Sequence, residues 1–89
     1  MSICKTVRYS GRVQGVGFRY TVHHLAAGFQ VAGHVRNCPD GDVELVAEGE
    51  DAEVTRFLEA VAARMAANIA RKIVRDAPPE GRQGFHIRY

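Results

Sequence analysis

The chain has 89 residues, which is the length of a single globular domain. Its apolar share of 46% and charged share of 25% exclude a disordered, collagen-like or low-complexity chain, and a formal net charge of +2 does not indicate nucleic-acid binding. No apolar run approaches the roughly 18 residues of a membrane helix, and the first residues lack the apolar core of a signal peptide. These features predict one domain over residues 1–89, located in the cytoplasm.

The first half of the sequence predicts a strand, a glycine loop, a helix and a β-hairpin, in that order. Apolar and basic residues alternate from Ile3 to Val13, which is typical of a strand, and glycines crowd the loop Gln14–Phe18. From Phe18 the apolar residues recur at helical spacing, and Gly28 is placed to cap the end of that helix. Alternation over Val31–Asn37, a Cys-Pro-Asp-Gly turn and renewed alternation up to Gly49 predict the hairpin.

The second half predicts another helix and two more strands. Asp51 is a candidate N-cap, and the apolar stripe of the helix consists of Val54, Phe57, Leu58, Val61 and Met65. A weakly alternating strand follows at Ile69–Arg75, then a loop at Pro78–Gly81 and a last strand at Phe85–Tyr89. The order βαββαβ, with one short strand at the C-terminal end, predicts a ferredoxin-like α+β sandwich. In that fold an antiparallel sheet carries both helices on one face.

The loop between the first strand and the first helix is a candidate anion site. Glycines at positions 15 and 17 allow successive main-chain N–H groups to turn toward one anion at the positive end of a helix. Arg19 adds a planar guanidinium that can hold two oxygens at once. The spacing is neither that of a dinucleotide-binding loop nor that of a Walker loop, so a nucleotide hydrolase is not indicated. The alternative is an ordinary glycine turn followed by a solvated Arg19.

Asn37, at the end of the second strand, is the second candidate. The first and second strands both run toward the edge of the sheet that carries the glycine loop, so Asn37 is expected beside that loop. A neutral carboxamide there can orient a water toward a bound phosphate without adding negative charge. The alternative is an asparagine that serves only the turn that follows it.

Two cysteines, Cys4 and Cys38, are expected to remain unpaired. Strand rise places them roughly 20 Å apart, which is beyond the reach of a disulfide. The sequence has neither a CxxC motif nor a cysteine–histidine cluster, so no metal site is predicted. Cys38 is expected to be an inert buried residue rather than a redox-sensitive thiol.

Three segments resemble the signatures of the acylphosphatase family. The run from Gly11 to Arg19 is similar to the pattern G-x-V-Q-G-V-x-F-R. A second signature is matched by Gly33-His34-Val35-Arg36-Asn37 with Gly41-Asp42-Val43 and Gly49, and the ending Phe85-His86-Ile87-Arg88-Tyr89 is also typical. His34 departs from the pattern, since the family usually has an aromatic residue at that position.

The resemblance implies hydrolysis of acyl phosphates to a carboxylate and inorganic phosphate, without a metal or cofactor. It places the catalytic arginine at Arg19 and the water-orienting asparagine at Asn37. The phosphate-binding main-chain amides would be those of Gln14, Gly15, Val16, Gly17 and Phe18. Inorganic phosphate would then be both product and competitive inhibitor.

The residues near the loop favour direct attack of water on phosphorus, because the loop has no Cys, Ser or Asp nucleophile beside a base. A phosphate oxygen of the substrate could accept the proton of that water. His23 and His24 are expected on the surface of the first helix. A monomer that binds neither nucleic acid nor membrane is expected.

Two other functions stay open at this point. A ferredoxin-like sandwich could be a phosphate- or RNA-binding module, although the sequence has few aromatic residues and no RNA-recognition signature. The chain could also be an accessory domain that acts on carbamoyl phosphate within a larger enzyme. The predicted elements complete the domain before the chain ends at Tyr89, which favours a free-standing enzyme.

Overall fold

The computed structural model describes residues 2–89, and it contains two helices and five strands. In chain order the elements are β1 (Ser2–Gly11), α1 (Phe18–Ala26), β2 (Val31–Asn37), β3 (Val43–Glu50), α2 (Asp51–Arg64), β4 (Ile69–Ala77) and β5 (Phe85–Arg88). No helix within residues 2–89 has the length and apolar character needed to cross a membrane.

The five strands form one sheet in the order β4-β1-β3-β2-β5. β1 pairs antiparallel with both β3 and β4, and β2 pairs antiparallel with β3. This part of the sheet confirms the predicted ferredoxin-like α+β fold. β5 is added at the far edge and runs parallel to β2, with Arg36 opposite Arg88, so the complete sheet is mixed.

One face of the sheet carries both helices and the hydrophobic core. Alternate residues of the strands, including Val7, Tyr9 and Leu45, are fully buried against the apolar stripes of the helices. The rings of Tyr9 and Phe18 lie 5.1 Å apart and join β1 to the first turn of α1. Phe57 of α2 packs edge-on against Phe85 of β5 at 5.6 Å. The core therefore fixes the start of α1 and also holds the added strand in place.

Several element boundaries differ from the predicted ones. The predicted N-cap Asp51 is wrong, because β3 runs directly into α2 and the extended residue before the helix is Glu50. The carboxylate of Asp51 instead accepts a hydrogen bond from the Thr55 hydroxyl at 3.1 Å. α1 ends at Ala26, and its C-cap is Ala27 rather than Gly28.

The strand boundaries shift in a similar way. β1 stops two residues before the predicted Val13, because the glycine at position 11 turns the chain with a φ of 123°. β4 extends past Arg75 to Ala77, since its pairing with β1 continues to Cys4. β5 ends at Arg88 rather than Tyr89.

The connection from β4 to β5 crosses the sheet face opposite the helices and is anchored on Glu48. The buried carboxylate of Glu48 accepts main-chain N–H bonds from Glu80 at 3.0 Å, Gly81 at 2.7 Å and Arg82 at 3.2 Å. It also accepts a hydrogen bond at 2.7 Å from the guanidinium of Arg82. The N–H of Glu80, with the other donors, lowers the pKa of Glu48 to about 2. Glu48 thus fixes the loop that carries β5 to the opposite edge of the sheet.

β2 and β3 approach closely at Gly33. A Cβ atom at this position would lie 1.8 Å from the carbonyl oxygen of Val46, so the position requires glycine, and its φ of 146° is also unfavourable for other residues. The next residue, His34, is buried on the face opposite the helices. Its Nε2 lies 3.7 Å from the carboxylate of Glu44, so a polar pair is found at the position where the sequence departs from the second signature.

Candidate active site

The glycine loop leads from β1 into α1 in a conformation that only glycine adopts without strain. Gly15 and Gly17 have φ values of 75° and 77°, and no atom lies within 4 Å of a Cβ placed at either position. The glycines are therefore required by the backbone conformation and not by crowding. Gly17 is the left-handed N-cap of α1, and no side chain caps this helix end.

The main-chain donors of this helix end are free. The first bond of α1 runs from the Thr21 N–H to the Gly17 carbonyl at 2.9 Å. Within residues 2–89, no acceptor is found for the N–H groups of residues 15–20. A helix N-terminus with unpaired donors carries partial positive charge and attracts anions. The loop thus offers a series of donors to a ligand with several oxygens, such as phosphate.

A cavity of about 170 Å³ opens at this loop, and most of the predicted site residues line it. Its lining consists of Val13, Gly15, Gly17, Phe18, Arg19, Tyr20 and Asn37. Arg19 and Asn37, which are 18 positions apart in the sequence, therefore meet at one cavity, as their strand directions predict. Gln14 and Val16, two of the residues whose amides were predicted to bind phosphate, do not line it.

Larger surface grooves do not combine these features. The groove beside Glu48 and Arg82 has a volume of about 440 Å³, but none of its lining residues belongs to the glycine loop. Size alone would point to that groove. The chemistry points to the smaller cavity, because the free N–H groups and a guanidinium are found together there.

The last residue of β5 and the residue that follows it support the side chain of Arg19, and sequence reasoning did not find this support. The Arg19 Nη1 donates a hydrogen bond to the Arg88 carbonyl at 3.2 Å, and its guanidinium lies 4.8 Å from the ring centre of Tyr89. The Tyr89 hydroxyl shares a 3.0 Å hydrogen bond with the Tyr20 hydroxyl, and this bond raises the pKa of Tyr89. These contacts follow from the parallel pairing of β5 with β2, which brings the end of β5 to the level of Asn37.

The side chain of Gln14 also has a role that sequence reasoning missed. Its Nε2 donates hydrogen bonds to the carbonyls of Cys38 at 2.8 Å and Asp42 at 2.9 Å, both in the β2–β3 turn. Nothing in the sequence pattern indicated this contact, because the acceptors are main-chain atoms and carry no residue signature. The start of the loop is thereby joined to the turn that follows Asn37.

The histidines and cysteines lie away from the cavity lining. His23 and His24 are exposed on α1, as predicted, and no histidine within residues 2–89 lines the cavity. Cys4 and Cys38 are both buried and unpaired, in agreement with the sequence analysis. Burial raises the pKa of the Cys4 thiol, which keeps it protonated near neutral pH.

Comparisons with known proteins agree with this geometry. A family model described as Acylphosphatase matches residues 5–87. An acylphosphatase of Thermotoga petrophila is 40% identical over 84 residues, which is 93% of each chain. One from Geobacillus thermodenitrificans is 45% identical over 82 residues, covering 89% of this chain and 86% of that relative. The crystal structure of acylphosphatase from Bacillus subtilis superposes with a TM-score of 0.87 at 35% identity, covering 98% of this chain and 99% of that one. On its sequence, its fold and the layout of its loop, this chain belongs to the acylphosphatase family.

Proposed function

We propose that this chain, as one domain over residues 1–89, hydrolyses acyl phosphates by direct attack of water, with Arg19 and Asn37 as its catalytic residues. Membership of the acylphosphatase family makes it an enzyme that acts on small-molecule acyl phosphates. The observation that supports the proposal best is that Arg19, Asn37 and the glycine loop line one cavity.

Arg19 holds the transferring phosphoryl group together with the loop amides. Its guanidinium is held at one end by the Arg88 carbonyl and the Tyr89 ring, and its other N–H groups are available to substrate oxygens. Phosphoryl transfer needs positioning and charge stabilisation more than covalent help from the protein. The proposed phosphate ligands are the main-chain N–H groups from Gln14 to Phe18.

Asn37 orients the attacking water. No side-chain hydrogen bond holds its carboxamide within residues 2–89, so that group is available to a water in the cavity. The leaving group is a carboxylate, which is a weak base and needs no strong acid to depart. The proton of the water passes to an oxygen of the substrate phosphate, because no histidine, aspartate or glutamate of residues 2–89 lines the cavity.

We also propose that the enzyme needs no metal or cofactor, works as a monomer in the cytoplasm and is inhibited competitively by inorganic phosphate. The phosphoryl end of the substrate is the part that the cavity recognises, and the product shares it. Phosphate should therefore compete with any acyl phosphate for the same donors.

The decisive experiment is hydrolysis of benzoyl phosphate by the wild type and by Arg19→Ala, each with and without a chelator. We expect wild-type activity that is unchanged by chelation, competitive inhibition by phosphate, and loss of activity in the variant. No hydrolysis by the wild type would refute the proposed activity. Loss of activity on chelation would refute a metal-free mechanism, and full activity of the variant would refute the role of Arg19.

A further inference from the structure

We infer that Gln14 is a positioning residue, whose side chain holds Asn37 at a fixed position relative to the glycine loop. This inference rests on the proposed function, in which Asn37 orients the attacking water. It assigns to Gln14 a task that differs from phosphate binding by its main-chain amide. The grounds are the contacts of its side chain, which point away from the cavity and toward the β2–β3 turn.

The carboxamide of Gln14 uses both of its N–H groups on one turn. Nε2 donates to the Cys38 carbonyl at 2.8 Å and to the Asp42 carbonyl at 2.9 Å. The same two residues close the turn, because the Cys38 N–H donates to the Asp42 carbonyl at 2.8 Å. The two ends of the turn are therefore fixed to one another and to the first residue of the phosphate loop.

Asn37 depends on this turn for its position. Its backbone directly precedes Cys38, and its own side chain makes no hydrogen bond to another group in residues 2–89. A half-buried carboxamide without a hydrogen-bond partner takes its position from its backbone. Without the Gln14 bonds, the Cys38 carbonyl would keep only its bond from the Gly41 N–H, and the turn after β2 would lose its link to the glycine loop.

The precision needed at this position is high. A water that attacks phosphorus must be aligned with the bond that breaks, and small displacements of a positioning group lower the rate steeply. The two parts of the site lie on the glycine loop and at the end of β2, and the Gln14 side chain joins the loop to the turn after β2 by direct hydrogen bonds. Its loss should therefore reduce turnover while phosphate binding by Arg19 and the loop persists.

The test is a double-mutant cycle between Gln14→Met and Asn37→Ala, assayed with benzoyl phosphate. Methionine keeps the length and removes both donors. We expect Gln14→Met to lower kcat about ten- to a hundred-fold in the wild-type background. The KM and the inhibition constant of inorganic phosphate should stay within about two-fold. In the Asn37→Ala background the same change should lower kcat by less than about two-fold.

Two further variants separate positioning from folding. Gln14→Asn keeps the amide on a shorter side chain that cannot reach both carbonyls, and it should lose kcat like Gln14→Met. Gln30→Met changes an exposed glutamine away from the cavity and should leave kcat unchanged. Urea unfolding of every variant measures its free energy of unfolding. A positioning role predicts that Gln14→Met lowers this free energy equally in the wild-type and Asn37→Ala backgrounds.

The outcomes distinguish the inference from the function on which it rests. If Asn37→Ala loses turnover but Gln14→Met does not, the inference is wrong and the function stands. Equal loss of kcat from Gln14→Met in both backgrounds would show a general structural role and would also overturn it. If the wild type does not hydrolyse benzoyl phosphate, the proposed function itself fails.

Discussion

Replacing Arg19 by lysine tests whether a planar, two-pronged cation is needed or only a positive charge. In the structure the guanidinium rests on the Tyr89 ring at 4.8 Å and donates one N–H to the Arg88 carbonyl at 3.2 Å. The remaining N–H groups can hold two phosphoryl oxygens, and each such charged hydrogen bond contributes about 1.5–3 kcal/mol. Removing both hydrogen bonds should therefore raise the activation free energy by about 3–6 kcal/mol, which lowers the rate roughly 10²- to 10⁴-fold.

We expect Arg19→Ala to show this full loss in kcat/KM with benzoyl phosphate. Arg19→Lys should lose at least about ten-fold, because an ammonium group restores one contact and cannot stack as a plane on Tyr89. Arg12→Lys is the matched control, since Arg12 is exposed and does not line the cavity. Activity of Arg19→Lys above about half of the wild type would refute the two-pronged contact.

Three other predictions concern Asn37, Glu48 and Gly33. Asn37→Ala should lower kcat about 10²-fold while the inhibition constant of phosphate changes little, and near-normal turnover would remove its role. The pKa of Glu48 is about 2 in the fold against 4.5 ordinarily, so its contribution to stability is present above pH 4.5 and is lost as the pH falls toward 2. Urea unfolding across this range should show a weaker pH dependence for Glu48→Gln, and an unchanged dependence would contradict the assignment. Gly33→Ala should destabilise by roughly 3 kcal/mol or more, because its Cβ would meet the Val46 carbonyl. Gly41→Ala, in open space with a φ of 97°, should cost only about 1–2 kcal/mol, and equal losses in thermal unfolding would refute the clash.

The parts of the site that sequence reasoning could predict depend on chain direction and local chemistry. Arg19 follows glycines at a strand-to-helix turn, and Asn37 ends the next strand that runs to the same edge. Both facts are local, and together they place the two residues at one cavity. The alternation in the strands likewise predicts which residues form the core.

The remaining features depend on contacts between distant segments. The parallel pairing of β5 depends on a loop that crosses the sheet and binds the buried carboxylate of Glu48. The presence of a glutamate in a strand does not indicate which groups it binds, so the path of this loop was not predictable. The contact of Tyr89 with Arg19 depends on that path, because the loop places β5 beside β2. Gln14 contacts carbonyl oxygens, which every residue has, and so its partners leave no pattern in the sequence. The error at Asp51 has a simpler cause, because β3 continues into α2 without an intervening turn.

The glycine loop has a consequence for how its proposed phosphate binding can be mapped by mutation. Peptide N–H groups survive every exchange of side chain except that to proline, so a systematic scan with alanine would leave the donors of Val16 or Phe18 in place. The side-chain requirement of this loop is limited to Gly15 and Gly17, whose positive φ angles other residues adopt only with strain. A variant library would therefore detect the proposed anion site through these two glycines and would miss most of the N–H groups that form it.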